Sequence, residues 1–133
     1  RKAYEFIISN KPCSIYYYSK YERTIWRKLQ SKYPTVCTPN DIEAIFDPEN
    51  AIDLYFDVVT KKTEWPTNDH SIKTLAKYLG FSWRDKNPSG AASIEWFDKW
   101  VKSRDPGDKE RILLYNEDDC RATRILLDGI KSL

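Results

Sequence analysis

Tyr115-Asn116-Glu117-Asp118-Asp119-Cys120-Arg121-Ala122-Thr123 is the stretch whose reading decides the fold. Wound at about 100° per residue with Asp119 as origin, it predicts a helix with one apolar arc. The arc runs from Ala122 and Tyr115, through Leu126, Ile112 and Ile130, to Leu127, Cys120 and Leu113. Asp119 lies at its middle, whereas Glu117, Asp118, Arg121 and Arg124 fall on opposite or flanking faces, where a surface helix keeps its charges. An ionised carboxylate on a buried stripe costs several kcal/mol unless a cation or several donors meet it. Asp119 therefore needs a partner from another element: a buried Arg or Lys on the plain reading, a divalent metal on the functional one. Tyr115 stands one turn earlier, at i−4, so its hydroxyl is within reach of the same place.

Working outward, Asp105-Pro106-Gly107-Asp108 starts this last helix, with proline at its first position. A helix over about Ala92 to Lys102 is expected to bury Ile94, Phe97 and Val101, with Trp96 and Trp100 as an i,i+4 pair. Ser71 caps a helix that turns Ile72, Leu75, Ala76 and Leu79 inward, and Gly80 ends it. Phe81-Ser82-Trp83-Arg84 follows, then a polar loop from Asp85 to Gly90. His70, the only histidine, sits in a loop after Trp65-Pro66 and carries no assignment.

Toward the start, Arg1 to about Asn10 reads as a helix closed by Lys11-Pro12, and Cys13 to Tyr18 as a strand rich in β-branched and aromatic residues. Ser19-Lys20-Tyr21-Glu22 opens a helix to about Tyr33. With Glu22 as origin, Ile25, Trp26, Leu29 and Tyr33 lie within about 60° of it, so Glu22 is on the inward face. Ser-x-x-Glu is also a capping box, in which Glu22 would return to the Ser19 backbone N–H, and both readings stand. Asp41-Ile42-Glu43 follows Thr38-Pro39-Asn40, which is helix-start chemistry with acids set against the dipole. Ala51 to Leu54 is a short strand that passes into a helical Tyr55 to Thr60.

A chain of 133 residues with 41% hydrophobic content, 5 Trp, 9 Tyr and 5 Phe suits one packed domain spanning 1–133, not a disordered segment. No apolar run approaches ~18 residues, so no membrane span is expected and a cytoplasmic protein is the default. Cys13, Cys37 and Cys120 are far apart and odd in number, which fits reduced thiols. A net charge of +2 allows a local basic patch for nucleic acid without demanding one. The chain contains no Met, so it is expected to be a fragment of a longer protein.

Tyr-x-x-x-Asp on a late helix resembles the third motif of the tyrosine-type DEDD exonucleases, and Tyr-Ser-Lys-Tyr-Glu after a strand resembles their second, with Glu22 where the family has Asp. Ser71 to Arg84, Pro88 to Ala91 and Tyr115 to Thr123, taken in order, are similar to the ribonuclease-H-like domain of predicted RecB-family nucleases. The resemblance implies an α/β, helix-rich ribonuclease-H-like fold, incomplete here because its first three strands lie upstream of residue 1. It implies a 3′ to 5′ exonuclease acting on DNA or RNA, with Glu22, Tyr115 and Asp119 as catalytic residues. Glu22 and Asp119 would be ligands in a two-metal site for Mg²⁺ or Mn²⁺. The Asp-x-Glu of the first motif would be missing, so the chain alone is expected to be inactive; Asp41 and Glu43 are rejected for that role because the family carries it mid-strand. Asp53 matches an acid whose role in the family looks structural. A RecB-like nuclease region upstream and in some cases a helicase are the implied companions in the parent protein. Strands Cys13 to Tyr18 and Ala51 to Leu54, deprived of neighbours, would offer edges for a dimer. The alternative is a non-catalytic nucleic-acid-binding or scaffolding module on the same fold.

Overall fold

Short apolar runs broken by Pro, Asn and Asp make the first half of the chain a series of small elements. The computed structural model describes all of residues 1–133, and they divide into two compact units, Arg1–Pro66 and Thr67–Leu133. The first holds α1 (Lys2–Ser9), β1 (Ile15–Tyr17), α2 (Tyr21–Lys32), α3 (Pro39–Ile45), β2 (Ala51–Asp53), a π-helical turn (Leu54–Val59) and α4 (Thr60–Lys62). β1 and β2 pair in parallel, with Ile15 opposite Ala51, Tyr16 opposite Ile52 and Tyr17 opposite Asp53. Parallel strands need a crossover, and α2 and α3 supply it. These two strands make the whole sheet, so each has one edge without a strand beside it.

Ile42, Ile45 and Phe46 form the core of this unit, packed by Tyr4, Ile7, Ile15, Tyr17, Trp26 and Cys37. Phe46 meets the rings of Tyr17 and Trp26 edge-on at 5.3 and 6.5 Å. Asp41 and Glu43 are helical, as the Thr-Pro-Asn start implied. Asp41 closes a capping box with Thr38, and Glu43 accepts from Arg23 at 2.6 Å and Arg27 at 2.7 Å, which ties α3 to α2.

At the start of α2 one of the two sequence readings falls away. Ser19 is left-handed, φ 71°, and its N–H donates to Asp53 Oδ1 at 2.9 Å. Lys20 becomes the cap residue and no side chain caps the helix, so the Ser19–Glu22 capping box does not form. The cause is tertiary: Asp53 Oδ1 also accepts from the N–H groups of Tyr55 and Phe56, and Ser19 is turned out of helical geometry to reach it. Asp53 is thus structural, as expected.

The second unit is helical: α5 (Ile72–Tyr78), α6 (Gly90–Ser103) and the long α7 (Pro106–Lys131), 26 residues. Ser71, Ser89 and Asp105 each accept a backbone N–H at the starts of these helices. Gly80, at φ 87°, closes the turn after α5. Leu79 packs on α7 at Gly129, where a Cβ would lie 2.7 Å from Leu79 Cδ1. Ala76, Trp83, Trp96, Tyr115 and Ala122 are the buried core, with Ile72, Phe81, Ala92 and Ile112 against them.

The inward face of α6 differs from the expected one. Ile94, Phe97 and Val101 are 71%, 52% and 41% exposed, while Trp96 is 8% exposed. Trp96 is about 200° around the helix from Ile94, and a helix can bury only one broad stripe. The indole offers the larger apolar area, and it has a specific seat. Its ring meets Tyr115 edge-on at 5.7 Å, and the Arg111 guanidinium lies 3.9 Å from its centroid. No helix of either unit is long and apolar enough to cross a membrane.

Candidate functional site

Two adjacent acids on α7 meet two adjacent donors on the segment after α5. Asp118, placed by periodicity among the surface charges, is instead the most deeply buried acid, at 2% exposure. Arg84 holds it: the backbone N–H donates to Oδ2 at 2.9 Å and Nε–H to Oδ1 at 2.9 Å. The same guanidinium reaches Glu117 Oε2 at 2.9 Å and the Leu114 carbonyl at 3.3 Å. Burial pushes the Asp118 carboxyl up, but the Arg84 hydrogen bonds and charge together outweigh it and leave it below the usual carboxylate range. The hydrogen bond to Asp118, then that to Glu117, drives the Arg84 guanidinium up. A helical projection sees only which residues of α7 are apolar. It cannot see an arginine 34 residues away that makes a charged position burial-competent.

Asp119 has a different partner. Its Oδ1 accepts from Trp83 Nε1–H at 2.8 Å, and no Lys or Arg stands within ion-pair distance of it. The side chain is half-buried. The expected partner from another element thus exists and is neutral. A neutral donor fixes the carboxylate without cancelling its charge. Trp83 is itself held, buried and edge-on to Phe81 at 5.0 Å.

Tyr115, one turn before Asp119, is 8% exposed. Its ring is wedged by Trp96 on one contact and by the Lys73 ammonium, 5.5 Å from the ring centroid, on another. Lys73 Nζ also donates to the Pro88 carbonyl. Trp83, Arg84 and Lys73 escaped the sequence reading. The available signal was a Trp and an Arg side by side in a short loop, whose donors need acceptors when buried.

Glu22 belongs to the first unit, in the first turn of α2. It is half-buried, with Oε2 shielded from solvent. Burial and then the charge of Asp53 push the neighbouring Tyr17 hydroxyl up; Arg23 opposes them, and Asp57 and Glu22 add smaller upward effects. The three cysteines are free thiols. Carboxylate and phenol oxygens are the right donors in kind for a hard cation such as Mg²⁺, but neither unit gathers a group of three or more His, Cys, Asp or Glu disposed to hold a metal ion. The donor set within each unit is short of a two-ion cage.

A family model described as RNase_H superfamily matches residues 1–130. No curated protein and no solved structure matches the chain.

Proposed function

The chain belongs to the RNase H superfamily, which carries a nuclease-like or nucleic-acid-related function, and we propose that it is part of a metal-dependent 3′ to 5′ exonuclease of the tyrosine-type DEDD kind, acting on DNA or RNA. The observation that supports this most is the contrast on α7: Arg84 neutralises Asp118, whereas Trp83 orients Asp119 at 2.8 Å and leaves its charge available.

In this proposal Asp119 and Glu22 are metal ligands, and Tyr115, wedged by Trp96, presents its hydroxyl to the attacking water. Mg²⁺ or Mn²⁺, when bound, would activate that water and stabilise the leaving oxygen. The carboxylates that neither unit supplies would come from an Asp-x-Glu strand preceding residue 1, so residues 1–133 by themselves are expected not to cleave. A RecB-like nuclease region and a helicase would share the parent protein, and the open edges of β1 and β2 would accept further strands, from the same chain or a second copy. The experiment is release of nucleotides from labelled DNA and RNA ends by the parent protein, with and without Mg²⁺ or Mn²⁺. Metal-dependent loss from the 3′ end is expected; no cleavage of any end would refute it.

One observation favours a second reading, a non-catalytic nucleic-acid-binding or scaffolding module. The Arg84–Asp118–Glu117 network is an ion-pair cluster on the motif helix itself, as a structural site would have. Under that reading Asp119 is a hydrogen-bond acceptor for Trp83 and nothing more.

A further inference from the structure

We propose that Lys73 is a phosphate-binding residue, which takes a backbone phosphate of a single-stranded nucleic-acid end lying over Tyr115. Every other lysine of the chain is exposed; Lys73 alone is half-buried. Its long stem would allow the ammonium to reach water, as lysines on apolar surface commonly do. It is turned instead to the Pro88 carbonyl and the Tyr115 ring. Both partners are neutral, and no carboxylate lies within ion-pair distance of it.

Acids are not scarce in the surrounding segments. Asp85, three residues before Pro88, is bound to Arg111 at 2.6 Å, and Asp118 and Glu117 are bound to Arg84. Arg84 and Arg111, the arginines of these segments, are thus neutralised whereas Lys73 is not, and the acid one turn from Tyr115 is met by an indole N–H. An ammonium drawn partly out of water without a counter-ion is costly, and a π face and one carbonyl offset only part of that cost. The missing counter-charge is an anion. Tyr115 thus has an uncompensated cation at its ring and an uncompensated carboxylate one turn on. A phosphodiester lying over the tyrosine would supply the anion.

The assignment rests on α7 as the nuclease site, and the test separates the two. Binding of the parent protein to a fluorescent oligothymidylate is measured without a catalytic metal across a salt series, for the wild type, Lys73→Gln and Lys73→Arg. Gln keeps an N–H donor toward the Pro88 carbonyl, one bond shorter, and loses the charge with its contact to the Tyr115 ring. Loss of one phosphate contact on a single strand makes the slope of log Kobs against log salt shallower by roughly 0.7, with several-fold weaker binding at low salt. Lys73→Arg should restore the wild-type slope. An unchanged slope in Lys73→Gln, an Arg variant as shallow as the Gln variant, or no binding by the wild type would overturn the assignment. Absence of metal-dependent cleavage by a wild type that binds would remove the nuclease reading alone.

Discussion

Trp83 Nε1–H donates to Asp119 Oδ1 at 2.8 Å, and the next residue, Arg84, takes Asp118. Neighbouring donors thus sort neighbouring acids into one that is oriented and one that is neutralised. Trp83→Phe keeps most of the ring volume and removes the N–H. On the nuclease account, loss of such an orienting bond costs about 10–100-fold in metal affinity or activity. Mn²⁺ titration followed by electron paramagnetic resonance checks it; unchanged affinity would count against a ligand role for Asp119.

Arg84 has the opposite signature. Arg84→Ala leaves Asp118 buried without its cation and Glu117 with Arg121 alone, so the second unit should lose stability, with Tm falling by on the order of 5 °C. Thermal melting followed by circular dichroism measures this. A Tm within experimental error of the wild type would mean that water replaces the guanidinium at no cost.

The Arg27 and Arg23 side-chain hydrogen bonds, with their charges, lower the Glu43 carboxyl to about 2. A folded-state pKa below the unfolded value gives stability that is fully present above the unfolded pKa and is lost as pH falls through the folded one. Unfolding midpoints should therefore hold down to about pH 5 and drop between about 4.5 and 2. Glu43→Gln should make that acid limb shallower by the Glu43 share alone, since Asp41, Asp69, Asp85, Glu117 and Asp118 are also held below the usual carboxylate range. An identical limb in the variant would show that the α2–α3 pair contributes nothing.

How far the sequence showed the molecule depends on what each element needs to be seen. The helix start at Thr38-Pro39-Asn40, the Ser71 cap, the Asp105-Pro106 helix start, the strand at Ile15–Tyr17 and the turn at Gly80 were legible because their chemistry is local. The burial of Asp118, the failure of the Ser19 cap and the inward face of α6 were not, because each is decided by a residue distant in the chain: Arg84, Asp53 and Tyr115. For the candidate site, spacing on one helix singled out Tyr115 and Asp119. Their supports, Trp83 and Lys73, lie on other segments and become visible only when those segments fold against α7.

The reversed face of α6 makes its own prediction. Ile94→Lys, at a position 71% exposed, should change stability by no more than about 0.5 kcal/mol. Trp96→Ala, which empties the seat between Tyr115 and Arg111, should cost roughly 3–5 kcal/mol. Chemical denaturation of the two variants compares them directly; a larger loss for Ile94→Lys would restore the face expected from sequence.

The most direct test of the nuclease account is metal-dependent release of 3′ nucleotides by Asp119→Asn in the full-length protein, read beside its melting temperature. Asn keeps an acceptor for Trp83 Nε1–H and gives up the charge, so the fold retains its support while the cation loses a ligand. The account predicts that release is abolished at an equal or higher Tm. Release at the wild-type rate, or a wild type that cleaves no DNA or RNA end while Asp119→Asn melts well below it, would contradict the account and leave the scaffold reading.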